Sequence, residues 1–221
     1  MTYTELVAAI EAYTENYEQL FVDNIPVFVK QAEKRIYNTA QIPALRKNVT
    51  GTIIAGNKYL PCPGDFLSVY SLAVIDSEGR YEYLLNKDVN FIRQAYPDPD
   101  DLGAIKYYAI FGPAVNGTIV TDELTFLLGP APLTACTAEL HYYYYPESIV
   151  DAGTSWLGDN YDPVLLYGSL MEAYTFMKGE QDVMAFYAQK YADALAQLKR
   201  LGDGLERGDA YRDGQYKMRV T

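Results

Sequence analysis

The sequence predicts an α+β fold: a helical bundle made by the N- and C-terminal segments, an inserted β-rich domain, and an extended C-terminal tail. Three observations carry this. Apolar residues recur at helical intervals at both ends of the chain. The middle stretch is rich in β-branched and aromatic residues, broken by Gly, Asn and Pro. The last twenty residues, from Gly202, hold four glycines, many charges and few apolar side chains. The boundaries follow: 1–47 is the first helical part, 48–147 the insertion, 148–201 the long helices that complete the bundle, and 202–221 the tail.

The first helix starts with Thr2 and Glu5 at capping-box spacing, and Leu6, Val7, Ile10 and Tyr13 follow on one face. A second helix is predicted to begin near Asn24, with Pro26 in the first turn, where a missing N–H is harmless. Its buried stripe is Phe28, Val29, Ala32 and Ile36, and it ends before Pro43.

Within the insertion, "FLSVYSLAVID" and "RYEYLLNK" flank a Ser-Glu-Gly turn and predict a hairpin. "DVNFIRQAY" predicts one or two helical turns. "AIKYYAIFG", "ELTFLLG" and "TAELHYYYY" are further strands. The last one holds Tyr142 to Tyr145. Side chains alternate across a strand, so Tyr142 and Tyr144 share one face and Tyr143 and Tyr145 the other. A strand covered on both faces is the structural reading, and stacking on nucleic-acid bases or sugars is the sharper one.

After Pro146 the helical period returns. Asp162 and Pro163 predict a cap-plus-N1 start. Leu166, Leu170, Ala173, Tyr174 and Met177 follow on one face. Gly179 is expected to end this helix and Asp182 to cap the next. Its stripe takes Phe186 or Tyr187, Tyr191, Ala194 or Leu195, Leu198 and Leu201.

Composition narrows the function. Formal net charge is −11, so the chain has no general attraction for phosphate backbones. No run is long and apolar enough to span a membrane, and the N-terminus lacks the pattern of a secretory signal. The two cysteines, Cys62 and Cys136, do not form CxxC spacing, which argues against zinc and for a reduced compartment. His141 is the one histidine, too few for a metal site or a supported catalytic triad. Asp98, Asp100 and Asp101 could bind calcium, but a solvated loop is the plainer reading. No phosphate-binding glycine loop occurs. No cofactor and no metal are expected, and nothing local points to an enzyme. A glycosidase carboxylate pair needs no local motif and stays open. The 22 tyrosines against 8 phenylalanines suit surfaces that a partner buries yet that stay soluble beforehand.

Several stretches resemble the head-to-tail adaptor (connector) proteins of bacteriophages. "NIPVFVKQAEKRIYNTAQIPALRKNVTG" is similar to their opening "IPxFIxxAExRIY" helix, and "NKYLPCPGDFL" to a "YLxxPxDFL" strand. "LHYYYYPESI" and "SWLGDNYDPVLLYGSLMEAYTFMKGEQD" resemble their closing strand and long helix. The similarity runs in order from Asp23 to about Asp209.

The resemblance implies a structural virion protein assembled in the host cytoplasm. It implies a ring of identical copies, typically a dodecamer, between the portal protein and downstream tail or nozzle proteins. DNA would pass through the lumen during ejection without specific binding. The C-terminal segment of such proteins often reaches the portal, and here it concentrates Tyr211, Arg212, Tyr216, Lys217 and Arg219, a basic and aromatic cluster in an acidic chain. Two other classes remain open from the residues: a carbohydrate- or receptor-binding module of a phage tail, and a tail-associated glycan hydrolase.

Overall fold

The computed structural model describes residues 1–98, 100–112, 115–116, 119–120 and 124–206. Helix makes up 48 % and strand 25 %, a mixed α+β chain. It divides into two compact units: Met1–Leu45 together with the chain from Tyr145 onward, and Arg46–Tyr144.

The first unit is helical. Helix α1 (Tyr3–Thr14) opens on a capping box: the Thr2 hydroxyl accepts from Glu5 N–H, and the Glu5 carboxylate accepts from Thr2 N–H. Leu6 and Ile10 are fully buried, whereas Tyr13 is 49 % exposed, so the stripe is narrower than expected.

Helix α2 (Gln19–Thr39) begins five residues before Asn24, and Pro26 sits inside it. The expected start is corrected by burial. Phe21 and Ile25, both N-terminal to the proline, are 1 % and 0 % exposed. Packing those side chains outweighs the one hydrogen bond Pro26 cannot donate. Phe28, Val29, Ala32 and Ile36 complete the buried face.

After the other unit come α4 (Ile149–Ala152), α5 (Trp156–Asn160), α6 (Asp162–Phe176) and α7 (Gln181–Glu206). α6 packs against α1, α2, α5 and α7, and for that reason it is buried on more than one side, at Val164, Leu165, Gly168, Ser169 and Leu170. Leu166 and Leu198 both lie in this core.

Two boundary expectations, the starts of α6 and α7, are corrected here, and α6 ends just before Gly179 as expected. Tyr161, not Asp162, precedes the first turn of α6, and it makes no side-chain cap. At the other end the left-handed residue is Lys178 (φ 54). Gly179 is needed for space: a Cβ there would meet the Tyr174 ring at 2.8 Å. Asp182 lies within the first turn of α7, its carboxylate accepting from Val183 N–H.

The tail expected from Gly202 is also corrected, because α7 continues to Glu206. Gly202 is buried, and a Cβ there would meet Gln41 and Ile42 at ordinary contact distances, 3.6 to 3.8 Å. Along the inner face of α7, Tyr187, Tyr191, Ala194 and Leu198 are buried, while Phe186 and Leu201 are exposed.

The second unit is built of strands. β1 (Arg46–Ile53), β3 (Phe66–Ile75), β4 (Tyr81–Tyr83) and β12 (Cys136–Tyr144) form a sheet in the order β1-β12-β3-β4. The β3–β4 hairpin turns at Gly79, whose φ of 78° suits glycine. β2 (Tyr59–Pro61), β5 (Leu85–Asn86), β7 (Tyr107–Phe111) and β10 (Thr125–Gly129) form a second sheet, ordered β2-β10-β7-β5. Two short pairs, β6 (Leu102–Gly103) with β11 (Ala131–Pro132) and β8 (Val115–Asn116) with β9 (Ile119–Val120), complete the strands. Helix α3 (Val89–Ala95) is capped by Asp88 and packs on β7 and β10. Phe126 is fully buried between the edges of Phe66 and Tyr108, in a core shared by residues of both sheets.

Candidate interaction surface

β12 is a central strand, and its two faces differ. Ala138, Leu140 and Tyr142 point into the core. The Tyr142 hydroxyl donates to Asp65 at 2.8 Å and its ring stacks on Phe66. Burial, then the Asp65 hydrogen bond and charge, pushes the Tyr142 phenol up to about 12. The strand ends at Tyr144, whose ring lies 4.0 Å from the Lys47 ammonium. Tyr145 belongs to the helical unit, with its hydroxyl on Asn38. The four tyrosines are thus mainly structural.

The opposite face carries Glu139, His141 and Tyr143. A bulge adds to it. Between His141 and Tyr142 the β3 partner jumps from Ser71 to Val69, leaving Tyr70 as an extra residue. The bulge aims Tyr70 at this face, where its ring meets His141 edge-on at 4.9 Å and Tyr143 at 6.4 Å. Arg46, opposite Tyr143 in the register, lays its guanidinium 3.8 Å from the Tyr70 ring centre and donates to the Tyr143 hydroxyl. Burial, then the Arg46 charge, holds the His141 imidazole below its usual value, against the pull of Glu139.

Tyr81 and Tyr83 extend the same face through β4, since they pair with Ile75 and Ala73, which in turn pair with Thr137 and Glu139. Their rings stack at 6.4 Å. The Tyr81 phenol is held up by its hydrogen bond to Glu139 and by that charge. Tyr70, Tyr81 and Tyr83 are 52 %, 52 % and 66 % exposed. The result is a sheet face of rigid aromatic rings with polar tips, braced by Arg46, Glu139 and Asn48, whose amide donates to Glu139 at 2.6 Å. Large rings with few rotatable bonds bury area against a partner at little entropic cost. Such a face is suited to contact with a partner.

The other sequence candidates fare differently. Among the described residues no group of His, Cys, Asp and Glu could hold a metal ion. In the Asp98–Asp101 loop the Asp98 carboxylate accepts from Asp100 N–H. Cys62 and Cys136 are free thiols. Tyr211, Arg212, Tyr216, Lys217 and Arg219 lie outside the described residues.

Sequence reasoning missed the exposed trio, because exposure of Tyr70 depends on a register shift between strands distant in sequence. It also missed Glu33. This carboxylate is 3 % exposed and accepts from the Ser148 hydroxyl at 2.6 Å and from Ile149 N–H at 2.9 Å. It fixes the start of α4 against α2, and burial pushes its carboxyl above the usual range. The "AEKRIY" stretch therefore encodes packing: Ile36 and Tyr37 are core, and Arg35 pairs with Glu172.

Among the described residues no helix is long and apolar enough to cross a membrane. No curated protein matches the chain. The family model described as SU10 adaptor protein matches residues 1–217, nearly the whole sequence and both structural units. The chain belongs to the SU10 adaptor protein family, a family of bacteriophage head-to-tail adaptors and virion components.

Proposed function

We propose that this protein forms a dodecameric ring that joins the portal to downstream tail or nozzle proteins and lines part of the DNA conduit. The observation that carries the reading is the family match over residues 1–217. Two physical features support it. The exposed tyrosine face is suited to contact with a neighbouring protein. A net charge of −11 disfavours lasting contacts with a phosphate backbone, as a conduit requires. The basic and aromatic cluster Tyr211, Arg212, Tyr216, Lys217 and Arg219 is the proposed portal contact, repeated in every copy so that weak contacts add up.

The test is assembly on purified portal rings, followed by electron microscopy and mass photometry. The full chain should bind portals stoichiometrically as a ring, and a chain cut before Gly208 should bind sharply less. A short DNA duplex should give no mobility shift at physiological salt. A monomer that ignores portals and binds glycans would overturn the reading in favour of a receptor-binding module.

A further inference from the structure

The face of β12 that carries the exposed tyrosines is complemented at one end and not at the other. At the first end Arg46 supplies a cation. Its guanidinium lies 3.8 Å from the Tyr70 ring centre and 4.8 Å from that of Tyr143, whose hydroxyl accepts from it. A planar cation suits that place, because it stacks on the negative faces of aromatic rings.

The second end repeats the arrangement with one member missing. Glu139 lies four residues before Tyr143, about 13 Å along the strand. Its register neighbours are Thr50 on β1 and Ala73 on β3, and Ala73 in turn pairs with Tyr83. Ala73 has a single methyl and is 3 % exposed, so the side chains beside it close over it. Tyr81 stacks on Tyr83 with the ring planes 26° apart. This end therefore holds two aromatic rings and a carboxylate. Thr50, Thr52 and Thr137 on the same face are exposed and neutral.

The carboxylate has hydrogen bonds and no counter-ion. Its donors are the Asn48 amide and the Tyr81 hydroxyl, both uncharged, and an ionised carboxylate has about four lone-pair sites to fill. None of the ion pairs among the described residues involves Glu139. The cations of this unit that lie nearby are engaged elsewhere: Lys47 with Asp65, and Arg80 with Asp76 and Glu78. Glu139 is only half-buried, so an incoming group can reach it.

We propose that the Tyr81–Tyr83–Glu139 end of the sheet takes an arginine side chain from a neighbouring protein in the assembly. The guanidinium pairs with the Glu139 carboxylate and lies against the Tyr81 and Tyr83 rings, as Arg46 lies against Tyr70 and Tyr143. Arginine fits better than lysine, because its flat fork can meet a carboxylate and a ring face at once. The inference rests on the reading of this face as contact surface, and it adds the chemistry that the partner must present there.

Titration of the full chain with the peptide acetyl-Gly-Arg-Gly amide, followed by backbone amide shifts in NMR, tests it. The arginine peptide should shift the amides of Tyr81–Tyr83 and Ala138–Leu140. The same peptide with citrulline, which keeps the shape and loses the charge, should bind about fivefold more weakly. Glu139→Gln keeps an acceptor for Asn48 and Tyr81, and it should erase the preference for arginine over citrulline. Equal binding of the two peptides, a preference for lysine over arginine, shifts confined to other residues, or an unchanged preference in Glu139→Gln would overturn the proposal. If any of these is found while Tyr81→Ser with Tyr83→Ser still weakens assembly, the face is a contact surface that reads no cation, so this inference and the reading beneath it fail separately.

Discussion

The two units spend their aromatic and apolar residues differently. In the helical unit α6 is enclosed by α1, α2, α5 and α7, and its Val164, Leu165 and Leu170 are fully buried. In the sheet unit one face of the β1-β12-β3-β4 sheet keeps Tyr70, Tyr81 and Tyr83 at half exposure or more. Among the described residues the outer sides of β1 and β4 pair with no further strand. The contrast lies in placement: the helical unit encloses one helix on more than one side, and the sheet unit gathers three exposed tyrosines on a single face.

The strongest way to break this comparison is to remove one core residue from each unit. Phe126→Ala should destabilise the sheet unit by about 3–5 kcal/mol, and Leu170→Ala the helical unit by about 2–5 kcal/mol, as buried large-to-small changes do. Both residues are 0 % exposed. Chemical denaturation followed by a unit-specific probe should show each loss mainly in its own unit. Loss shared equally by both units would mean that they unfold as one, and that stability is not partitioned as the two cores suggest.

Next in size is Glu33, a buried carboxylate in the helical core. Glu33→Ala leaves the Ser148 hydroxyl and Ile149 N–H without their acceptor, which should cost about 1–3 kcal/mol. Glu33→Gln keeps an acceptor and isolates the charge. Burial raises the folded carboxyl above its unfolded value near 4.5. Between those two values the folded state holds more protons than the unfolded, so stability falls as pH rises through the window. The wild type should therefore gain on Glu33→Gln as pH drops from neutrality towards 4.5. Denaturation midpoints of the pair at several pH values decide it, and a constant gap would mean that the carboxyl is not perturbed.

What the sequence made legible was local. Thr2 and Glu5 announce a cap because both partners lie within four residues. The β3–β4 hairpin is legible because its turn and both strands are contiguous. What was not legible depends on partners far away in the chain. Pro26 suggested a helix start, and only the burial of Phe21 and Ile25 shows the helix running through it. Gly179 suggested a helix end, and only the fold shows that a glycine is needed there for space beside the Tyr174 ring. Glu33 meets Ser148 and Ile149 more than a hundred residues away. Tyr70 becomes a surface residue through a bulge that no property of β3 alone specifies. The tyrosine surplus suggested contact chemistry, yet the tyrosines that stand exposed together are Tyr70, Tyr81 and Tyr83 and not the conspicuous run Tyr142–Tyr145.

The capping box gives a smaller, sharper test. Thr2→Ala removes the acceptor for Glu5 N–H and should lower stability by about 1 kcal/mol. Its effect should appear with the helical unit and leave exchange in the sheet unit unchanged. A loss that spread to the amides of β3 and β12 would contradict the partition.

The smallest expected effect on stability carries the most functional weight. Tyr70, Tyr81 and Tyr83 expose half or more of their surface, so Tyr81→Ser with Tyr83→Ser should move stability by no more than about 0.5 kcal/mol for each change. Tyr70 is best kept apart, because Arg46 stacks on its ring and the bulge is built around it. If the face is contact surface, the Tyr81/Tyr83 double variant should fold normally and yet bind its assembly partner at least tenfold more weakly, since buried aromatic anchors dominate such interfaces. Tyr81→Phe with Tyr83→Phe then separates ring from hydroxyl. Near-complete retention of binding in the phenylalanine pair means that ring area is what the partner buries, and loss comparable to the serine pair means that the Glu139-linked hydroxyl is read directly. A serine variant that assembles as well as the wild type would remove the tyrosine face from the interaction surface.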